Sequence, residues 1–202
     1  MFEKLLKRHL QGLNTKFMPN ELAYLALTCK VEHPIRDRLA FSLHSDAKLG
    51  KQYLIAREWK RFDLAIVGPG NEPAALVELK AMYTFDMFAP KAASQYPGKI
   101  NSDREKTFNY ISKHELPNTE GYTLLLATHI DGDIQDEHVG IVKYAKGIRK
   151  FGSTDMAQVL KKVESHFSMH KQSCKGKIVA GNAFGYKVSI LYWLHGPNKS
   201  AA

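Results

Sequence analysis

Two short apolar segments joined by a Gly68-Pro69-Gly70-Asn71 turn each carry a carboxylate where a buried strand would ordinarily carry none. The first reads Arg61-Phe62-Asp63-Leu64-Ala65-Ile66-Val67 and the second Ala74-Ala75-Leu76-Val77-Glu78-Leu79-Lys80. The turn residues and their flanks predict a β-hairpin. Side chains alternate along a strand, so Glu78 and Lys80 share one face while Leu79 points to the other. An unpaired carboxylate in such a strand is costly to bury or is forced to neutralise. A divalent cation is the simplest compensation. With the turn closing the hairpin near its centre, Asp63 and Glu78 come within reach of one ion and the Leu79 carbonyl supplies a third oxygen. Magnesium suits such a set, because it prefers oxygen ligands and keeps several of its waters. Lys80, partly desolvated beside the ion, is placed to orient or deprotonate an attacking water, since burial and a nearby cation both lower a lysine pKa.

The rest of the chain supplies a frame for that hairpin. The first fifty residues read as three helices. One carries Phe2, Leu5, Leu6, Leu10 and Leu13; a second, with Asn20 as its cap, carries Leu22, Leu25, Ala26 and Cys29. The third covers residues 32–47, tolerates Pro34 in its first turn, and turns Ile35, Leu39 and Leu43 inward. Glu32 continues that inward face and is a further carboxylate for the site; Asp37 falls on another face, beside arginines. A strand at 53–58 precedes the hairpin. Residues 81–100 read as an irregular crossing, and 102–114 as a helix capped by Ser102 with Phe108 and Ile111 inside. The apolar run 122–130 predicts a strand buried on both faces. A helix with Met156, Val159, Leu160 and Val163 follows, then strands at 177–184 and 186–194 paired across Gly185. The order α-α-α-β-β-β-α-β-α-β-β is that of an α/β fold with a mixed central sheet flanked by helices. At 202 residues the chain fits one domain: a helical extension over 1–31, a core over 32–130, and a helix and strands over 131–202 that complete the sheet.

A formal net charge of +9 favours an anionic partner, nucleic acid before membrane. Arg36, Arg57 and Lys106 are candidates for phosphate contacts, and so are Lys161 and Lys162 in the basic stretch from 143 to 177. No apolar run approaches the length needed to span a bilayer. The charged start lacks a signal-peptide core, and Cys29 and Cys174 are too isolated for a disulfide framework, so a cytoplasmic protein is expected. The acidic run 131–137 lacks the spacing of a calcium loop, and His166 and His170 lack a third ligand. No glycine-rich phosphate loop is present, which argues against a nucleotide cofactor.

A helix with an acid, a strand with Asp63, a strand with Glu78-Leu79-Lys80, then a helix and a strand: this pattern resembles the PD-(D/E)XK nuclease superfamily, also called restriction-endonuclease-like, over roughly residues 32–130. Phe62 stands where the eponymous proline would be, which removes no ligand. The Gln-x-x-x-Tyr motif of the exonuclease-like branches is absent. The resemblance implies a restriction-endonuclease-like core, an enzyme that hydrolyses phosphodiester bonds in DNA, and dependence on Mg2+ with Mn2+ as a substitute. It gives Asp63 and Glu78 the metal together with the Leu79 carbonyl, Lys80 the water, and Glu32 a supporting place. Activity as a homodimer, or only within a larger transposition or repair complex, stays open. So does a catalytically silent member of the fold that binds DNA or protein, with Asp63 paired to Arg57, Arg61 or Lys80.

Overall fold

The hairpin forms and sits toward one side of a six-stranded mixed sheet. In the computed structural model, which describes residues 1–151, 155–167 and 172–198, three helices come first: α1 (Phe2–Gln11), α2 (Glu21–Thr28) and α3 (Glu32–His44). Strands β1 (Leu54–Trp59), β2 (Phe62–Val67) and β3 (Pro73–Tyr83) follow, then α4 (Pro90–Lys113) and β4 (Glu120–Asp131). The chain closes with α5 (Ala145–Phe151), α6 (Met156–Phe167), β5 (Gln172–Ala183) and β6 (Tyr186–Asn198). The strand order is β1-β2-β3-β4-β6-β5, with β3 and β4 parallel and every other neighbouring pair antiparallel. His170, weighed above, and Lys171 of the basic stretch lie outside the described residues.

Helices cover both faces of the sheet, as strand alternation requires when each face is apolar. On one side Leu6, Leu10, Leu22, Ile35, Leu39 and Leu43 of α1–α3 pack with Leu64, Val77, Leu79, Leu124 and Ile190. On the other, Tyr96 and Ile100 of α4 and Val159 and Val163 of α6 pack on Met82, Leu125, Leu191 and Trp193. The first two helices therefore belong to the core layer rather than to an appendage. β4 is buried along all but its last residue, as its continuous apolar run predicts, because both neighbours and both helical layers enclose it.

Three local readings are corrected. Helix α4 starts at Pro90, not near residue 102, and runs through Pro97. Pro90 occupies the first turn, where a missing N–H costs nothing, and burial of Ala93, Tyr96 and Ile100 offsets the bond that Pro97 forfeits. Ser102 consequently lies mid-helix and donates to the Gly98 carbonyl, and Phe108 faces solvent while Ile111 is buried. Asn20 does precede α2, but its side chain makes no cap; its Oδ1 accepts the backbone N–H of Asn182 at 2.9 Å, tying the helix start to β5. The short helix α5 was not anticipated. Among the described residues no helix is long and apolar enough to cross a membrane.

Candidate active site where two strands part

β2 and β3 pair only as far as Leu64 opposite Val77, while β3 runs on beside β4 to Tyr83 opposite Thr128. Past that point the β2 edge of β3 has lost its strand partner, and a buried backbone N–H without a partner is strongly disfavoured. Carboxylates complete the ladder. Asp63 Oδ2 accepts the N–H of Leu79 at 2.7 Å. Two residues on, the N–H of Ala81 donates to Glu32 Oε1 at 2.8 Å. Glu32 arrives from the first turn of α3, in the opposite layer. The phase of the strands puts Asp63 on the face of Ala65 and Val67, Glu78 on that of Leu76, and Lys80 on that of Met82, all toward α4.

Helix α4 lays two further charged groups on this face. Lys106 Nζ donates to Glu78 Oε1 at 2.5 Å and to the Arg61 carbonyl at 2.5 Å, with Nζ 4.8 Å from the centre of the Phe62 ring. Lys80 Nζ lies 3.3 Å from Asp103 Oδ2. That contact is an ion pair rather than an aligned hydrogen bond, and the same oxygen, shut off from water, has no hydrogen-bond partner. Sequence reasoning missed Asp103. The signal was its place on the inward face of α4, in phase with Ile100, Thr107 and Ile111, which becomes visible only once the helix is taken back to Pro90.

Electrostatics follow from this crowding. Glu78 is 4% exposed, and burial pushes its carboxyl up to about 7, helped by the charges of Asp63 and Asp103 and opposed by Lys106. Burial also raises Asp103, against the pull of Lys80. Lys80 departs from the sequence expectation. Burial alone would lower it, but Asp103, Glu32 and Asp63 outweigh burial and raise it, so Lys80 is a held cation and not a ready proton acceptor.

Of the cations expected to contact phosphate, Lys106 lies at the site and the rest lie elsewhere. Arg36 is turned inward, with Nη1 on Glu58 at 2.7 Å and Nε on Asp37 at 2.8 Å, so its guanidinium is not offered to a phosphate. Arg57 pairs with Asp37 at 3.0 Å, giving the aspartate the arginine partners its helix face predicts. Lys106 is engaged by Glu78 and Arg61, as described. Lys161 is exposed on α6, and Lys162 Nζ lies 4.8 Å from the centre of the Phe88 ring.

Among the described residues no group of three His, Cys, Asp or Glu side chains is disposed to hold a metal ion as it stands. A single magnesium needs fewer protein ligands than that. Two features fit a cation at the site: an ammonium is already held between a carboxylate and a carbonyl, and the buried Asp103 Oδ2 is met by a second one, Lys80 Nζ at 3.3 Å. Comparisons with protein-family models, with curated proteins and with solved structures find no match to this chain.

Proposed function

We propose that the protein is a magnesium-dependent nuclease that hydrolyses phosphodiester bonds in DNA, built on the restriction-endonuclease-like core its motif resembles. The observation that carries this reading is the convergence of Asp63, Glu78 and Lys80 on one sheet face where β2 and β3 part. The succession α3-β1-β2-β3-α4-β4, with β3 and β4 parallel, supports it by supplying the elements of that pattern in order. Phe85 packs against Tyr83 and Tyr144, and Met87 is drawn into the core beneath α4.

Asp63 and Glu78, with the Leu79 carbonyl, are the groups that would hold Mg2+ or Mn2+; bound there, the ion polarises the phosphate and acidifies its water. The chain's own residues do the remaining work. Lys80, kept charged by Asp103, stabilises the negative charge that builds on the phosphate, which replaces the proton-accepting role expected from sequence. Asp63 and Glu32, by bonding the Leu79 and Ala81 amides, hold the open edge of β3 in register with the site. The net charge of +9, and exposed lysines such as Lys161, favour a polyanionic partner such as DNA.

The test is a cleavage assay of the wild type beside Lys80→Ala on duplex, single-stranded and branched DNA and on RNA, with Mg2+, Mn2+ or chelator. Metal-dependent cutting of DNA that disappears in the variant is expected. Cutting that survives in Lys80→Ala and Asp63→Ala, or no cutting of any substrate by the wild type, would refute the reading.

A further inference from the structure

We propose that the Lys106 ammonium occupies the second cation position of this site, so that the protein takes one divalent ion rather than two. The inference rests on the nuclease reading and deepens it. Nζ of Lys106 is held 2.5 Å from Glu78 Oε1 and 2.5 Å from the carbonyl oxygen of Arg61. A carboxylate and a backbone carbonyl are the oxygen types that hard divalent ions select. The lysine therefore stands where an ion would find two ligands, and like-charge repulsion excludes an ion from the same place.

The Arg61 carbonyl is delivered there by a turn whose geometry its sequence does not favour. Lys60 and Arg61 form the two-residue connection between Trp59 and Phe62, with φ of 48° and 71°. Such connections favour Asn-Gly or Gly-Gly, because side chains larger than these resist positive φ. Strain of this kind persists where surrounding contacts fix it. Here the fixing contact is the Lys106 ammonium on the exposed carbonyl. The Phe62 ring packs under that ammonium and restricts it further. Paired catalytic ions ordinarily lie about 3.5–4 Å apart and share a carboxylate. Glu78 is the carboxylate they would share, and one of its oxygens already answers to the lysine.

The test counts bound Mn2+ by equilibrium dialysis and by electron paramagnetic resonance on wild type, Lys106→Gln and Lys106→Ala. One ion is expected in the wild type and two in the variants, with the exchange-coupled spectrum of an ion pair. Two ions in the wild type overturn the inference, a count that does not depend on either variant folding. A folded variant that still binds one ion overturns it as well and leaves the nuclease reading intact. No Mn2+ bound by wild type or variants would remove the metal-dependent reading along with it.

Discussion

Replacing Glu78 by Gln should make the metal-free protein more stable at neutral pH, although it removes a carboxylate assigned to the metal. The Glu78 carboxyl is raised from 4.5 to about 7 by burial and by Asp63 and Asp103. In the folded state it therefore holds its proton more tightly than in the unfolded chain. Between these two values the native state binds more protons, so stability falls as pH rises through the window. Below about 4.5 the penalty is absent, and above about 7 it is fully developed. The difference between the two values corresponds to roughly 3 kcal/mol. Glutamine cannot ionise and carries no such penalty. The raised value already includes the attraction of Lys106, so losing that partner subtracts nothing further, and the 39% exposed lysine is free to hydrate.

Urea denaturation from pH 4 to pH 8, in chelator, measures the effect. Wild type and Glu78→Gln should coincide near pH 4 and diverge to roughly 3 kcal/mol in favour of the variant by pH 8. Saturating Mg2+ should then stabilise the wild type and not the variant, by about 2.7 kcal/mol at one hundred times the dissociation constant. Parallel stability curves across this range, or a variant less stable at pH 8, would refute the claim that Glu78 is held against its ionisation.

Asp63→Asn should abolish cleavage yet stay about 1 kcal/mol more stable than Asp63→Ala, because an amide oxygen still accepts the Leu79 N–H; paired activity and thermal melts check this. Lys80→Ala should cost roughly 2 kcal/mol, since Asp103 is left buried without its cation, and Asp103→Asn should cost less in that background than alone; a double-mutant cycle on stability reads the coupling. Replacing Lys161 and Lys177 by Gln should weaken DNA binding similarly across sequences and reduce the slope of log affinity against log salt by about 2, measured by fluorescence anisotropy over a salt series.

The strand carboxylates were legible because charge stands out in an apolar run. Asp63 and Glu78 break two such runs, and the period of two places Glu78 with Lys80 without any tertiary information. Inward Ile35, Leu39 and Leu43 were legible for the same reason at helical period. The start of α4 was not, since Pro90, Pro97 and Gly98 read locally as breakers, and only burial of Ala93, Tyr96 and Ile100 against β3 and β4 overrides them. That one error hid Asp103 by hiding the phase of its helix. The charge state of Lys80 was illegible for a different reason. It depends on Glu32 and Asp103, one 48 residues before it and the other 23 after, so nothing near it in the chain reports the balance.

Why the charges gather where they do follows from the sheet itself. A strand that outlasts its neighbour leaves amides to be answered, and β3 outlasts β2 from Glu78 to Tyr83. An apolar side chain cannot accept those N–H groups. Carboxylates from β2 and α3 do accept them, at Leu79 and Ala81. Glu78 and Asp103 add two more acids, met by Lys80 and Lys106, while Lys30 donates to the Ala81 carbonyl at 3.5 Å. The fold thus needs acids to finish its ladder, and these acids leave the site short of positive charge, most acutely at Glu78. Each added cation, whether lysine or metal, relieves that shortage. On the proposed reading, the geometry that completes the β-sheet is also the geometry that would hold a divalent ion and the phosphate it carries.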